Sequence, residues 1–168
     1  MNKYLLAVAL LAGCSPGQNG GNQAAPTGSG QTAKVEPARL GALTGLYEGG
    51  NGGPRHQMCV VEGKGGGLRF GLVVWGGNTH SCSGSGTIRR QGDRVRLVMA
   101  GDSPCELDAV ISGKGIRFPH EVPSGCAYYC GARASLAGAE LTQTGTSRKS
   151  ALSAKDIVGD PLCGPETG

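Results

Sequence analysis

From Leu43 onward the chain alternates short apolar runs with glycine-rich breaks, the texture of a β protein with many short strands. The pattern predicts strands over 43–48 (LTGLYE), 57–62 (QMCVVE), 68–75 (LRFGLVVW) and 83–90 (SGSGTIRR). Further strands are predicted over 94–100 (RVRLVMA), 105–112 (CELDAVIS), 115–118 (GIRF) and 134–143 (ASLAGAELTQ). Val95, Leu97 and Met99 alternate with Arg94, Arg96 and Val98, as a strand with one buried and one wet face requires. Gly63-Lys64-Gly65, Gln91-Gly92-Asp93 and Gly113-Lys114-Gly115 supply hairpin turns, where glycine accepts the positive φ that tight connections need. Seven to eight antiparallel strands in this order form a small meander, closed as a barrel or a sandwich. After the last strand, Ala151–Val158 predicts a short helix with Ser150 as N-cap and Gly159 as C-cap.

The chain before Leu43 has a different pattern. Tyr4 to Gly13 is an apolar run behind one charge at Lys3, too short to cross a bilayer as a helix. Leu11-Ala12-Gly13-Cys14 closes that run and resembles the lipobox of bacterial membrane lipoproteins. The resemblance implies that residues 1–13 are a cleaved signal peptide and that Cys14 carries the lipid. It further implies anchoring at the outer membrane on its periplasmic side, since Ser15, not aspartate, follows the lipidated cysteine. The next stretch, up to about residue 41, is rich in Gly, Gln, Asn and Pro and has almost no bulky apolar residue before Val35. Together with Cys14 it reads as a disordered tether, 14–41, spanning roughly 30 Å. A single domain over 42–168 follows.

Composition then constrains that domain. Glycine supplies 32 residues of 168, and only six aromatic residues lie beyond Tyr4, so the core is thin. Thin cores are usually reinforced covalently, and an exported chain sits where disulfides persist. Cys14 accounts for the odd member of seven cysteines. Cys59, Cys82, Cys105, Cys126, Cys130 and Cys163 remain, an even set suited to three bridges of open connectivity. Spacings of 23, 23 and 21 residues separate Cys59, Cys82, Cys105 and Cys126, and "RFGLVVWG" echoes "RVRLVMAG". These intervals predict a repeated hairpin unit. They place Cys59, Cys82 and Cys105 at one end of the sheet, joined there by Cys126 and Cys130. Processing would also remove Lys3, leaving 15 basic against 12 acidic side chains, a mild surplus that points to no nucleic acid.

Candidate chemistry is sparse. Cys126 and Cys130 stand three residues apart in CAYYC, not two as in redox C-x-x-C motifs, so they read as structural. His56, His80 and His120 fall in predicted loops and lack a nucleophile elbow. Glu106 and Asp108 share one strand face, raw material for acid–base work but more simply a solvent face. Arg89, Arg90, Arg94 and Arg96 flank one hairpin turn; they either guard a wet face or meet an anionic lipid or protein. No residue set calls for a metal or cofactor.

The cysteine-rich end offers the better surface, with Trp75, Asn78, His80, Asp102, Tyr128, Tyr129 and Arg133 in its loops. Trp, Tyr and Arg are the residues enriched at interface hot spots. The opening LTGLYEGG, residues 43–50, together with the cysteine-rich β domain, is similar to small lipoprotein inhibitors of proteases or lysozyme. The sequence therefore predicts a non-catalytic binding module for an envelope protein or secreted hydrolase. A structural envelope lipoprotein and a hydrolase using loop histidines are the competing expectations.

Overall fold

The computed structural model describes residues 43–164, Gly52 excepted. The predicted signal peptide, the lipidated Cys14 and the tether lie outside the described residues.

Eight strands form a closed antiparallel barrel in chain order. They are β1 (Gly45–Gly49), β2 (His56–Glu62), β3 (Leu68–Trp75), β4 (Ser81–Gln91), β5 (Arg94–Met99), β6 (Glu106–Ser112), β7 (Gly115–Arg117) and β8 (Glu140–Gly145). Each strand pairs with its neighbour, and β1 pairs with β8 to close the ring, so no edge is left open. The sequence left barrel and sandwich open; the structure is a barrel.

Side-chain alternation explains the interior. Along β5, Val95, Leu97 and Met99 are buried while Arg94 is exposed and Arg96 half-exposed. Phe70, Leu72, Ile88, Leu107, Ile116 and Leu141 fill the same interior core. β2 departs from alternation, since Met58, Cys59, Val60 and Val61 are all buried. Met58 and Val60 point into the barrel, whereas Cys59 and Val61 meet a cover made by the C-terminal segment. That cover packs Ala151, Ala154, Leu162 and Cys163 against Cys59, Val61 and Val73, and Cys59–Cys163 is a disulfide. Burying Val61, Val73 and Leu162 is worth roughly 1.5–3 kcal/mol each. Gly71 makes the close crossing possible, because a Cβ there would overlap the Leu162 carbonyl oxygen.

The structure corrects two expectations here. Cys59 is not at the cysteine-rich end; it lies mid-strand on the outer wall, paired across the ladder with Gly71. The helix begins earlier than predicted: α1 spans Arg148–Ala151, capped by Ser147, whose hydroxyl accepts from the Ser150 backbone while Ser150 returns the bond. Residues 156–159 form a turn instead, because the Asp156 carboxylate accepts backbone N–H bonds from Val158 (2.9 Å) and Asp160 (2.8 Å).

Among the described residues every strand pairing, both buried clusters and all three disulfides lie within residues 43–163, so the barrel contains what it needs to fold alone. Its two ends differ. The chain enters at Leu43, beside the short connections β2–β3, β4–β5 and β6–β7. The opposite end carries the longer loops 50–55, 76–80, 100–105 and 118–139.

Candidate functional site: the braced end

The long loop 118–139 runs over the end opposite the entry and is held there at two points. Cys82, second residue of β4, bonds Cys130, and Cys105, just before β6, bonds Cys126. Cys126 lies inside a 3-10 helix, Ser124–Tyr129, and Cys130 is its C-cap. Hydrogen bonds complete the bracing: Ser103 Oγ donates to the Gly125 carbonyl (3.1 Å), and Gly131 N–H donates to the Ser81 carbonyl (2.9 Å). With both ends of CAYYC cross-linked, little ordering remains to be lost when a ligand binds.

Within the helix the two tyrosines divide their labour. Tyr129 turns inward, its hydroxyl donating to the Ser103 carbonyl (2.8 Å) and its ring lying against Gly84 and Gly101. Tyr128 turns outward and is 63% exposed. The rings meet edge to face at 5.2 Å, which stiffens the exposed one. Beside them lies an apolar crevice of about 200 Å³ lined by Val122, Pro123, Ala127, Cys130, Ala134 and Leu136. Small-molecule sites usually begin near 300 Å³. The crevice has the size of one side chain.

The loop 76–80 supplies the second flank. Gly76 N–H donates to the His80 carbonyl (2.7 Å) and closes it. Asn78 (φ 56°) and Thr79 (φ 63°) both adopt the left-handed conformation and are exposed. For a β-branched residue this geometry costs of order 1–3 kcal/mol, and such strain concentrates at recognition and active sites. Thr79 has no sequence signal of its own; only the neighbouring Gly76-Gly77 hints at a tight turn.

The structure gathers most of the predicted surface. The loop that carries Asn78 adjoins the 131–134 segment through its two ends, Gly76 sitting against the Arg133 carbonyl and His80 against Gly131. Asp102 sits in the loop that Tyr129 ties down. Arg133 and Asp102 are exposed, with no ion pair among the described residues. Trp75 stands apart: it is half-buried on the outer wall, packed against the C-terminal cover.

The other candidate chemistry resolves into structural roles. His56 Nδ1 accepts a hydrogen bond from the Trp75 backbone (3.1 Å), and burial holds its pKa below the ordinary histidine value. His80 lies against Gly131 and His120 against Gly138; among the described residues neither bonds a serine or an aspartate. Arg96 takes Asp108 in a two-pronged pair (2.9 and 2.8 Å) and reaches Glu106 at 3.7 Å. The bond and charge of Arg96 hold the Asp108 carboxyl below the usual range. Cross-strand neutralisation therefore accounts for both acids. Among the described residues no group of three His, Cys, Asp or Glu side chains is arranged to hold a metal. A wider depression of 440 Å³ is bounded by Glu48, Arg55 and Thr144, but Glu48 already accepts from Thr144 and pairs with Arg55. No protein family, curated protein or solved structure matches this chain.

Proposed function

We propose that this protein is a lipoprotein of the bacterial envelope, anchored through Cys14 to the outer membrane and facing the periplasm. Its braced end binds an envelope or secreted protein, in the manner of an inhibitor, without turnover. The observation that carries the binding reading is Tyr128, an exposed aromatic on a 3-10 helix stapled by Cys82–Cys130 and Cys105–Cys126. A rigid exposed aromatic beside a side-chain-sized crevice has the composition and stiffness of an interface anchor. The lipobox carries the anchor reading.

Two experiments test these halves separately. Cells fed an alkynyl palmitate should label the wild-type protein and leave Cys14→Ser unlabelled; equal labelling of both defeats the anchor. For binding, Tyr128→Ala should weaken partner affinity roughly tenfold or more while leaving the melting temperature unchanged. Tyr129→Ala should lower the melting temperature as well, since that ring is part of the fold. Unchanged affinity in Tyr128→Ala would remove the braced end from consideration.

A further inference from the structure

The connections at the chain-entry end carry a charge that the other end lacks. The β2–β3 turn presents Lys64, the β4–β5 turn is flanked by Arg90 and Arg94, and the β6–β7 turn presents Lys114. Arg148 and Lys149 follow where β8 leads into α1, and Arg148 is held beside the β2 terminus by a bond to the Glu62 carbonyl (3.4 Å). All six are exposed, and none takes part in an ion pair among the described residues. Glu62 and Asp93 are the carboxylates at these same connections, so among the described residues these connections carry a surplus of four positive charges. The loops of the braced end balance: Arg55 and Arg133 against Asp102 and Glu121.

The sequence shows only the arginine cluster at the 91–93 turn, because the six cations lie scattered between residues 64 and 149. Antiparallel topology collects them, since every second connection returns to the same end. The basic end is also the end at which the chain arrives from Cys14, at Leu43.

We propose that the entry end is a docking face for an anionic membrane surface, so that the barrel rests on the bilayer with its braced end turned outward. On the anchor reading, a stretch 14–41 spanning roughly 30 Å, as its composition predicts, would keep the face at high effective concentration over the lipid, where even weak attraction orients it. Lys and Arg within a Debye length of anionic headgroups add cumulatively, and the attraction falls with salt. The orientation rests on the Cys14 anchor; the surface chemistry does not.

The test uses the oxidised barrel, residues 35–168, so that no lipid assists, sedimented with phosphatidylglycerol–phosphatidylcholine vesicles and with pure phosphatidylcholine. The barrel should partition onto the anionic vesicles at low salt and be released by 0.5 M sodium chloride. The Arg90→Gln, Arg94→Gln, Lys114→Gln variant should bind roughly tenfold or more weakly. Arg55→Gln with Arg133→Gln should bind as the parent does. Absence of any preference for the anionic vesicles overturns the proposal without relying on a variant. Equal losses in both variants, or capture by a soluble polyanion with none by vesicles, also overturn it. Palmitate labelling fails or succeeds independently, so loss of the anchor is distinguishable from loss of the docking face.

Discussion

Removing the Cys59–Cys163 bridge through Cys59→Ala with Cys163→Ala tests how the outer cover is held. The two cysteines are 104 residues apart, but Cys82–Cys130 already closes 48 residues of that span. The remaining covalent path runs from Cys59 to Cys82 and from Cys130 to Cys163, roughly 56 residues, for which loop-closure entropy gives about 4 kcal/mol. Against a typical net stability of 5–15 kcal/mol this is a large fraction. Urea unfolding should therefore lose about 3–5 kcal/mol. Native-state hydrogen exchange should report a local event at lower cost. The amides of Ala151 and Leu162, bonded to the Ser147 and Ala154 carbonyls, should exchange faster than the interior ladder. A loss below about 1 kcal/mol would refute the chain-entropy reasoning. Unchanged exchange at Ala151 and Leu162 would refute the reading that this bridge pins the cover.

Three further outcomes follow from the packing. Burial pushes the Tyr47 hydroxyl up to about 12, and it donates to the Leu43 carbonyl at 2.9 Å. The folded state thus favours the neutral phenol; its contribution is complete below pH 10 and fades between 10 and 12, by about 2–3 kcal/mol. Tyr47→Phe should flatten that part of a stability–pH curve measured by denaturant titration. Gly71→Ala should cost about 1–3 kcal/mol in thermal or urea unfolding, since its Cβ meets the Leu162 carbonyl where the cover crosses β3. Asp156→Ala should abolish exchange protection at the Val158 and Asp160 amides while leaving the barrel's melting temperature alone. Those two N–H bonds hold the Asp156 carboxyl below its ordinary pKa. In the parent the turn is therefore intact above the ordinary carboxylate range and loosens as pH falls below it.

Where the sequence alternates cleanly, structure follows it: β3 lies on 68–75 as read, and β5 within one residue of its expected end. Failures occur where alternation is silent. The run Met58-Cys59-Val60-Val61 is apolar throughout, so nothing in it says which side of β2 a cysteine faces. Equal spacing then suggested an end position for a residue that sits mid-wall. Residues 134–139 read as strand from small apolar residues, yet Gly138 (φ 68°) turns the chain, its N–H bonded to the Pro119 carbonyl; β8 starts at Glu140. The helix slipped because capping by Ser147 and Ser150 and the Asp156 turn are side-chain–backbone bonds, which propensity alone does not rank. Among the site residues, the loop membership of Asn78, His80, Tyr128 and Arg133 was legible. The opposed facing of Tyr128 and Tyr129, the outward seat of Trp75 and the left-handed Thr79 depend on packing that spans the chain.

The most direct test places a photo-crosslinking amino acid at Tyr128, and separately at Lys64, in cells that make the protein. Binding through the braced end predicts a discrete protein adduct from position 128 and none at that mass from position 64. Identical adduct patterns from both positions, or no adduct at 128, would contradict it.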